Sequence, residues 1–347
     1  MKRKTKNRSA VPGLILFALV TLVILTVAKK LDPDIFSVLR SLTVPMVVLL
    51  LLYHCLYDIM EALVSRIILS STGKRFPFLH MLGVTYVGIF AAVATPFGGK
   101  IPMQSLYLYH RGLKAGSGLG LMSIQYLMHK TAVVLLAAVF LITDWKWIHA
   151  WLPDIAPYLV FAFIICAAVI LEKLLVYSWE KMKMLVQYLI GKLPDRGKWI
   201  GRKQSWLDNI DILYAQTHGL LRDRKKMLLI LLVEVGKLLL LYLVPLICAV
   251  LLGLEQPGIY HMLGLGALMF MLSNALPNIA GMGSIEFSFL LIFSTFFGDM
   301  TLSVLLLYRL ATYYMPFLQS CICFLFSYWR YRHMGPVTGP PASEGLG

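Results

Sequence analysis

Two apolar runs, 11–28 and 227–254, reach the 17 to 25 residues that a helix rising 1.5 Å per residue needs to cross a hydrocarbon core of about 30 Å. No other feature constrains the chain as much. Backbone at that depth must satisfy its own hydrogen bonds, and a helix does so within one segment. Composition agrees: 59% of the residues are hydrophobic and 14% charged, where a soluble domain carries roughly 25% charged. An all-α, polytopic membrane protein without a folded soluble domain is expected.

The formal net charge of +15 would suit nucleic acid if the cations shared one surface, but they lie beside apolar runs. Lys2, Arg3, Lys4, Lys6 and Arg8 precede the first run, and a dense set beginning at Lys181 and Lys183 crowds the segment 178–225. The positive-inside rule reads both as cytoplasmic. The basic loop then faces anionic lipid of the inner leaflet, and no nucleic-acid partner is expected. The amino-terminal run resembles a signal peptide, but it is long and no small-residue cleavage site follows, so it reads as a retained helix. Cys55, Cys166, Cys248, Cys321 and Cys323 lie in apolar segments without the spacing of a zinc site or disulfide framework. No metal or cofactor is expected.

Hydropathy places about six full spans at 11–28, 42–60, 119–142, 155–177, 226–252 and 301–329. Two further apolar regions, 78–113 and 262–297, are broken by Pro and Gly. The breaks involve Pro96, Gly98, Gly99 and Pro102 in the first, and Pro277, Gly281 and Gly283 in the second. Residues 1–10 form a basic cytoplasmic start, 11–334 one transmembrane domain, and 335–347, rich in Pro and Gly, a disordered tail.

Counting crossings decides what hydropathy cannot. With the amino terminus inside, the loop 143–154, which holds Trp145, Trp147 and Trp151, reads as an outer interface, and 178–225 as an inner one. A full crossing by 78–97 would reverse both. Two oppositely oriented re-entrant helical hairpins remove the conflict and make 42–142 and 226–329 an inverted repeat, with both termini cytoplasmic in an inner membrane. The simpler alternative is that Pro and Gly kink ordinary spans.

Re-entrant backbone is tolerated where protein buries it or it lines a wet cavity, so both breaks are expected to face one internal site. Lys100 and Gln104 follow the first break four residues apart, on one helix face, and Arg111 ends that hairpin. Arg111 alone reads as a side chain reaching the headgroups. Asn274, Asn278 and Glu286 surround the second break. Glu286 is the foremost candidate, because a carboxylate at membrane depth is costly unless paired or hydrated; it also suits the cap of the helix after Gly283. The spacings Glu234/Lys237 and His54/Asp58 put each pair on one helix face, where mutual neutralisation competes with a proton or substrate path. Arg309 needs a partner from another helix, with Glu234 and Glu286 as candidates.

The runs TPFGGKIPMQSLYLYHRG (95–112), LPNIAGMGSIEFSFLLIFSTFFGD (276–299) and LYRLATYYMPFLQS (307–320) resemble the lysylphosphatidylglycerol synthase transmembrane family, also called flippase-like, over most of the chain. In that family the membrane domain moves aminoacylated lipid, while a separate domain makes it from lysyl-tRNA and phosphatidylglycerol. The resemblance implies the translocating half, acting on a phosphatidylglycerol-type or aminoacylated phospholipid. Gln104, Glu286 and Arg309 fit the family pattern. Lys100 and Ile101 stand where members usually carry Glu or Gln, which favours a more anionic headgroup. Phosphatidylglycerol lysyltransferase activity and a non-transporting partner role are the alternatives, and a homo-oligomer is compatible with all three.

Overall fold

The computed structural model describes residues 42–95, 99–178, 180–192, 199–277 and 282–323. The expected span 11–28, the basic start, the tail, and Pro96, Phe97, Gly98, Asn278 and Gly281 lie outside them. Regular structure among the described residues is helical. In chain order the helices are α1 (Val44–Leu69), α2 (Phe78–Ala94), α3 (Lys100–Tyr109), α4 (Ala115–Thr143), α5 (Trp145–Trp151), α6 (Ala156–Ser178) and α7 (Glu180–Gly191). Then come α8 (Trp199–Arg222), α9 (Arg224–Tyr242), α10 (Val244–Leu251), α11 (Ile259–Ala275), α12 (Ser284–Phe297) and α13 (Thr301–Arg309).

Among the described residues, four helical segments are long and apolar enough to cross a membrane: Val44–Thr72, Ala115–Thr143, Arg224–Leu251 and Ser284–Cys323. The third joins α9 to α10, with Pro245 in the first turn of α10. The fourth is not one rod. It reverses at Gly298 (φ +50°), so that Phe289 meets Tyr308 at 5.3 Å between ring centres and Glu286 meets Arg309. Helix α12, 14 residues long, is therefore about 21 Å and too short to cross alone.

Two antiparallel helix pairs dominate the architecture. In the first, α2 and α3 run back to back: Gln104 Nε2 donates to the Val84 carbonyl at 3.2 Å, and Arg111 Nη1 lies 2.5 Å from His80 Nε2 at the open end. In the second, α11 and α12 join Ser273 to Ser284 through their hydroxyls at 3.0 Å near the break. At the open end Trp147 stacks on both His261 (4.0 Å) and Phe296 (5.5 Å). Helix α4, 29 residues and about 43 Å long, runs between these open ends. Its start meets α3, Gly118 lying against Ser105; its end meets α11, where Asp144 Oδ2 lies 2.7 Å from His261 Nδ1. The two pairs thus open at opposite ends of α4.

Two sequence boundaries need correction. The span expected at 42–60 continues to Leu69, because Asp58 and Glu61 find buried surroundings and do not end the helix. The basic segment 178–225, expected as a loop, is helical in α7 and α8. Helix α8 presses on α4 where Gly116 and Gly120 allow close approach: a Cβ at Gly116 would fall 2.2 Å from the Asn209 carbonyl oxygen. Asn209 Oδ1 also accepts from the Gly116 N–H at 2.9 Å, satisfying a donor that the start of α4 leaves unpaired.

Candidate functional site

The break of the first helix pair brings Lys100 to the start of α3, where its Nζ reaches Glu61 Oε1 on α1 at 3.1 Å. The other Glu61 oxygen, Oε2, accepts from Lys237 Nζ on α9 at 2.5 Å. Lys237 also bonds Glu234 Oε2 at 2.5 Å, one helical turn back. Glu234 Oε2 in turn lies 3.1 Å from His129 Nδ1 on α4. Four helices therefore contribute one chain of ionisable side chains: Lys100, Glu61, Lys237, Glu234 and His129.

Burial sets the energetics of this chain. The Lys237 and Glu234 side chains are 0% exposed, whereas Lys100 is 41% exposed. An ammonium removed from water costs several kcal/mol unless its partners are close and well oriented. Lys237 has two carboxylates at 2.5 Å and the Tyr57 ring face at 5.6 Å, so its charge is compensated. Lys100 keeps part of its surface free.

The next residue of α4, Lys130, points to the second helix pair. Its Nζ donates to Asn274 Oδ1 at 2.5 Å and lies 5.2 Å from the Tyr126 ring centre. Asn274 is the penultimate residue of α11. Adjacent residues of one helix, His129 and Lys130, thus connect the buried ion chain to the second break.

Beyond that break, Gly283 adopts φ +95° with no heavy atom within 4 Å of a would-be Cβ. Conformation, not space, requires glycine there. Its N–H donates to Glu286 Oε2 at 2.7 Å, while Glu286 Oε1 accepts from Arg309 Nε at 2.7 Å. Arg309 Nη2 bonds the same oxygen. One carboxylate therefore caps α12 and neutralises a buried arginine. Arg309 also lies over the Tyr313 ring at 4.9 Å, and the π-helical turn Leu310–Tyr314 begins directly after it.

The remaining candidates separate. Gln104 is buried and bonded to Val84, holding α2 to α3. His54 Nε2 and Asp58 Oδ1 lie 3.4 Å apart in α1, with no recorded hydrogen bond to the ion chain. Arg111 sits at the open end with His80 and 5.1 Å from the Tyr107 ring. Pro102 lies inside α3, and Gly99 abuts Thr95; Pro277 follows α11.

Sequence reasoning missed Glu61, His129 and Lys130. Each was detectable as an ionisable residue in or beside an apolar run; Glu61 was lost because the span was closed at residue 60. Among the described residues no group of His, Cys, Asp and Glu is arranged to hold a metal ion.

The chain matches the family model described as the lysylphosphatidylglycerol synthase TM region over residues 13–319. A search of curated proteins returns no match.

Proposed function

The chain belongs to the lysylphosphatidylglycerol synthase transmembrane-region family, and from that premise we propose that it translocates a phospholipid headgroup across the bilayer. One observation supports the reading: two antiparallel helix pairs open at opposite ends of α4, and their breaks are linked to adjacent residues of that helix, the first through Glu61, Lys237 and Glu234 to His129 and the second through Asn274 to Lys130. Transporters built from inverted repeats place broken helices around a midplane site in this way. The polar groups at Lys100, Lys130 and Asn274 give a headgroup something to exchange for water, while apolar helix surfaces accompany its acyl chains.

On this reading the two pairs are re-entrant hairpins from opposite faces, both termini are cytoplasmic in the inner membrane, and α7–α8 lies on the cytoplasmic side against anionic lipid. The rest of the site holds these pieces in place: Glu286 and Arg309 fix the second hairpin, and Gln104 fixes the first.

Reconstitution of the purified full chain into liposomes carrying acyl-labelled phosphatidylglycerol tests the reading. Accelerated exchange between leaflets is expected; exchange no faster than in protein-free vesicles sinks it. Lysyl lipid made by a host expressing this chain alone would favour lysyl transfer instead.

A further inference from the structure

Three intramembrane cations have carboxylate partners: Lys100 and Lys237 share Glu61, Lys237 also has Glu234, and Arg309 has Glu286. Lys130 differs. No acidic partner within ion-pair distance is found for it among the described residues, and its recorded contacts are the Asn274 amide oxygen and the Tyr126 ring. Both solvate an ammonium, and neither cancels its charge. Lys100, a second cation, and the Cys166 thiol lie within electrostatic range.

Beside Lys130 is a cavity of about 220 Å³. Tyr126 and Lys130 of α4, Ile165, Cys166 and Val169 of α6, and Asn274 of α11 line it. Ile165 and Val169 are 36% and 44% exposed, so one wall of the cavity is an apolar, outward-facing flank of α6. An ammonium without a counterion, in a cavity bordered by lipid-facing side chains, is matched by an anion that is itself attached to hydrocarbon.

We infer that Lys130 and Asn274 form a phosphodiester-binding site in this cavity, and that the cargo is a lipid of net negative headgroup charge. The inference rests on the translocation reading and narrows its substrate class. A phosphatidylglycerol-type headgroup supplies the missing charge. A lysyl ester of the same lipid brings the α- and ε-ammonium groups of its lysine beside Lys130 and Lys100 and is disfavoured. Inorganic phosphate carries the charge without the apolar part, and the α6 flank contributes nothing to its binding.

Two arms test this on the full chain. In liposomes, acyl-labelled phosphatidylglycerol should exchange about tenfold faster than its lysyl ester, a difference of about 1.4 kcal/mol. Lys130→Gln should slow phosphatidylglycerol and reduce the difference, and Lys130→Arg should preserve it. Where the protein accelerates exchange, equal or faster movement of the lysyl ester overturns the inference, as does an unchanged phosphatidylglycerol rate in Lys130→Gln.

The second arm measures equilibrium binding of phosphatidylglycerol to detergent-solubilised protein, with inorganic phosphate as competitor. Binding that Lys130→Gln abolishes and phosphate fails to displace supports the site even if no lipid moves, in which case only the translocation reading falls. Binding unaffected by Lys130→Gln, or phosphate competing as well as the lipid, overturns it. Monodisperse elution of each variant confirms folding.

Discussion

Glu286 receives the Gly283 N–H on one oxygen and the Arg309 guanidinium on the other, so the cap of α12 and the counterion of α13 are one carboxylate. Glu286→Gln keeps an oxygen for the cap but removes the carboxylate charge that faces Arg309, which is 5% exposed. Breaking a buried pair from one side costs about 3–5 kcal/mol, so this variant should unfold at a clearly lower temperature in detergent. Removing both charges in Glu286→Gln/Arg309→Met should recover part of the loss. Equal melting of single and double variants would show that the pair does not act as a unit.

Lys237 bridges Glu61 and Glu234, and its loss should be the most damaging single change in the ion chain. Lys237→Met strips the shared cation from two buried carboxylates, whereas Glu61→Gln leaves Lys237 with Glu234 and Lys100 partly hydrated. An expected loss of about 3–5 kcal/mol for the first should exceed that of the second, with partial recovery in Glu61→Gln/Glu234→Gln/Lys237→Met. Chemical unfolding of the variants ranks them; Glu61→Gln as damaging as Lys237→Met would contradict the bridge.

A Cβ at Gly88 would stand 2.6 Å from Gln104 Nε2, displacing the side chain that bonds Val84. Gly88→Ala should cost about 1–3 kcal/mol by overpacking, and Gln104→Ala about 1 kcal/mol for a lost hydrogen bond. The double variant should cost less than the sum, since Gln104→Ala makes room for the methyl. Strict additivity in unfolding experiments would mean that α2 and α3 are not in this register.

Opposite openings of the two helix pairs have a topological consequence. In a background lacking the five native cysteines, Lys114→Cys and Ile259→Cys, both at exposed positions, should react with an impermeant thiol reagent from opposite faces of the membrane. Lys114→Cys should label from the cytoplasm. Labelling of both from one face would remove the inverted-repeat reading.

Asp211 on α8 holds Lys183 of α7 at 2.6 Å and accepts from Gln187 at 3.0 Å. The Lys183 hydrogen bond lowers the Asp211 carboxyl below the usual carboxylate range. A depressed value means that the contact supports folding above the unfolded carboxylate pKa of about 3.9 and is lost as pH falls through the folded value. Protection of the α7 amides, measured as the exchange rate relative to the intrinsic rate at the same pH, should therefore fall on acidification below about pH 4. Asp211→Asn should show the lower protection at every pH; wild-type protection in that variant would remove Asp211 from the contact.

Hydropathy and the demands of Pro and Gly act over one or two turns of helix, so the solvent, the helical class and the positions of the breaks are legible in the chain without its fold. The spacing of Glu234 and Lys237, one turn apart, fixed their contact for the same local reason. Which charges meet across the molecule depends instead on the packing of helices far apart in the chain. Glu61 joins Lys237 over 176 residues of chain, and Lys130 joins Asn274 over 144. Arg309 chose Glu286 over Glu234 because the reversal at Gly298 lays α13 along α12, while Glu234 is already held by Lys237 and His129. Partners at such separations are set by how helices pack, and that packing is a property of all the side chains together that no single stretch of sequence records.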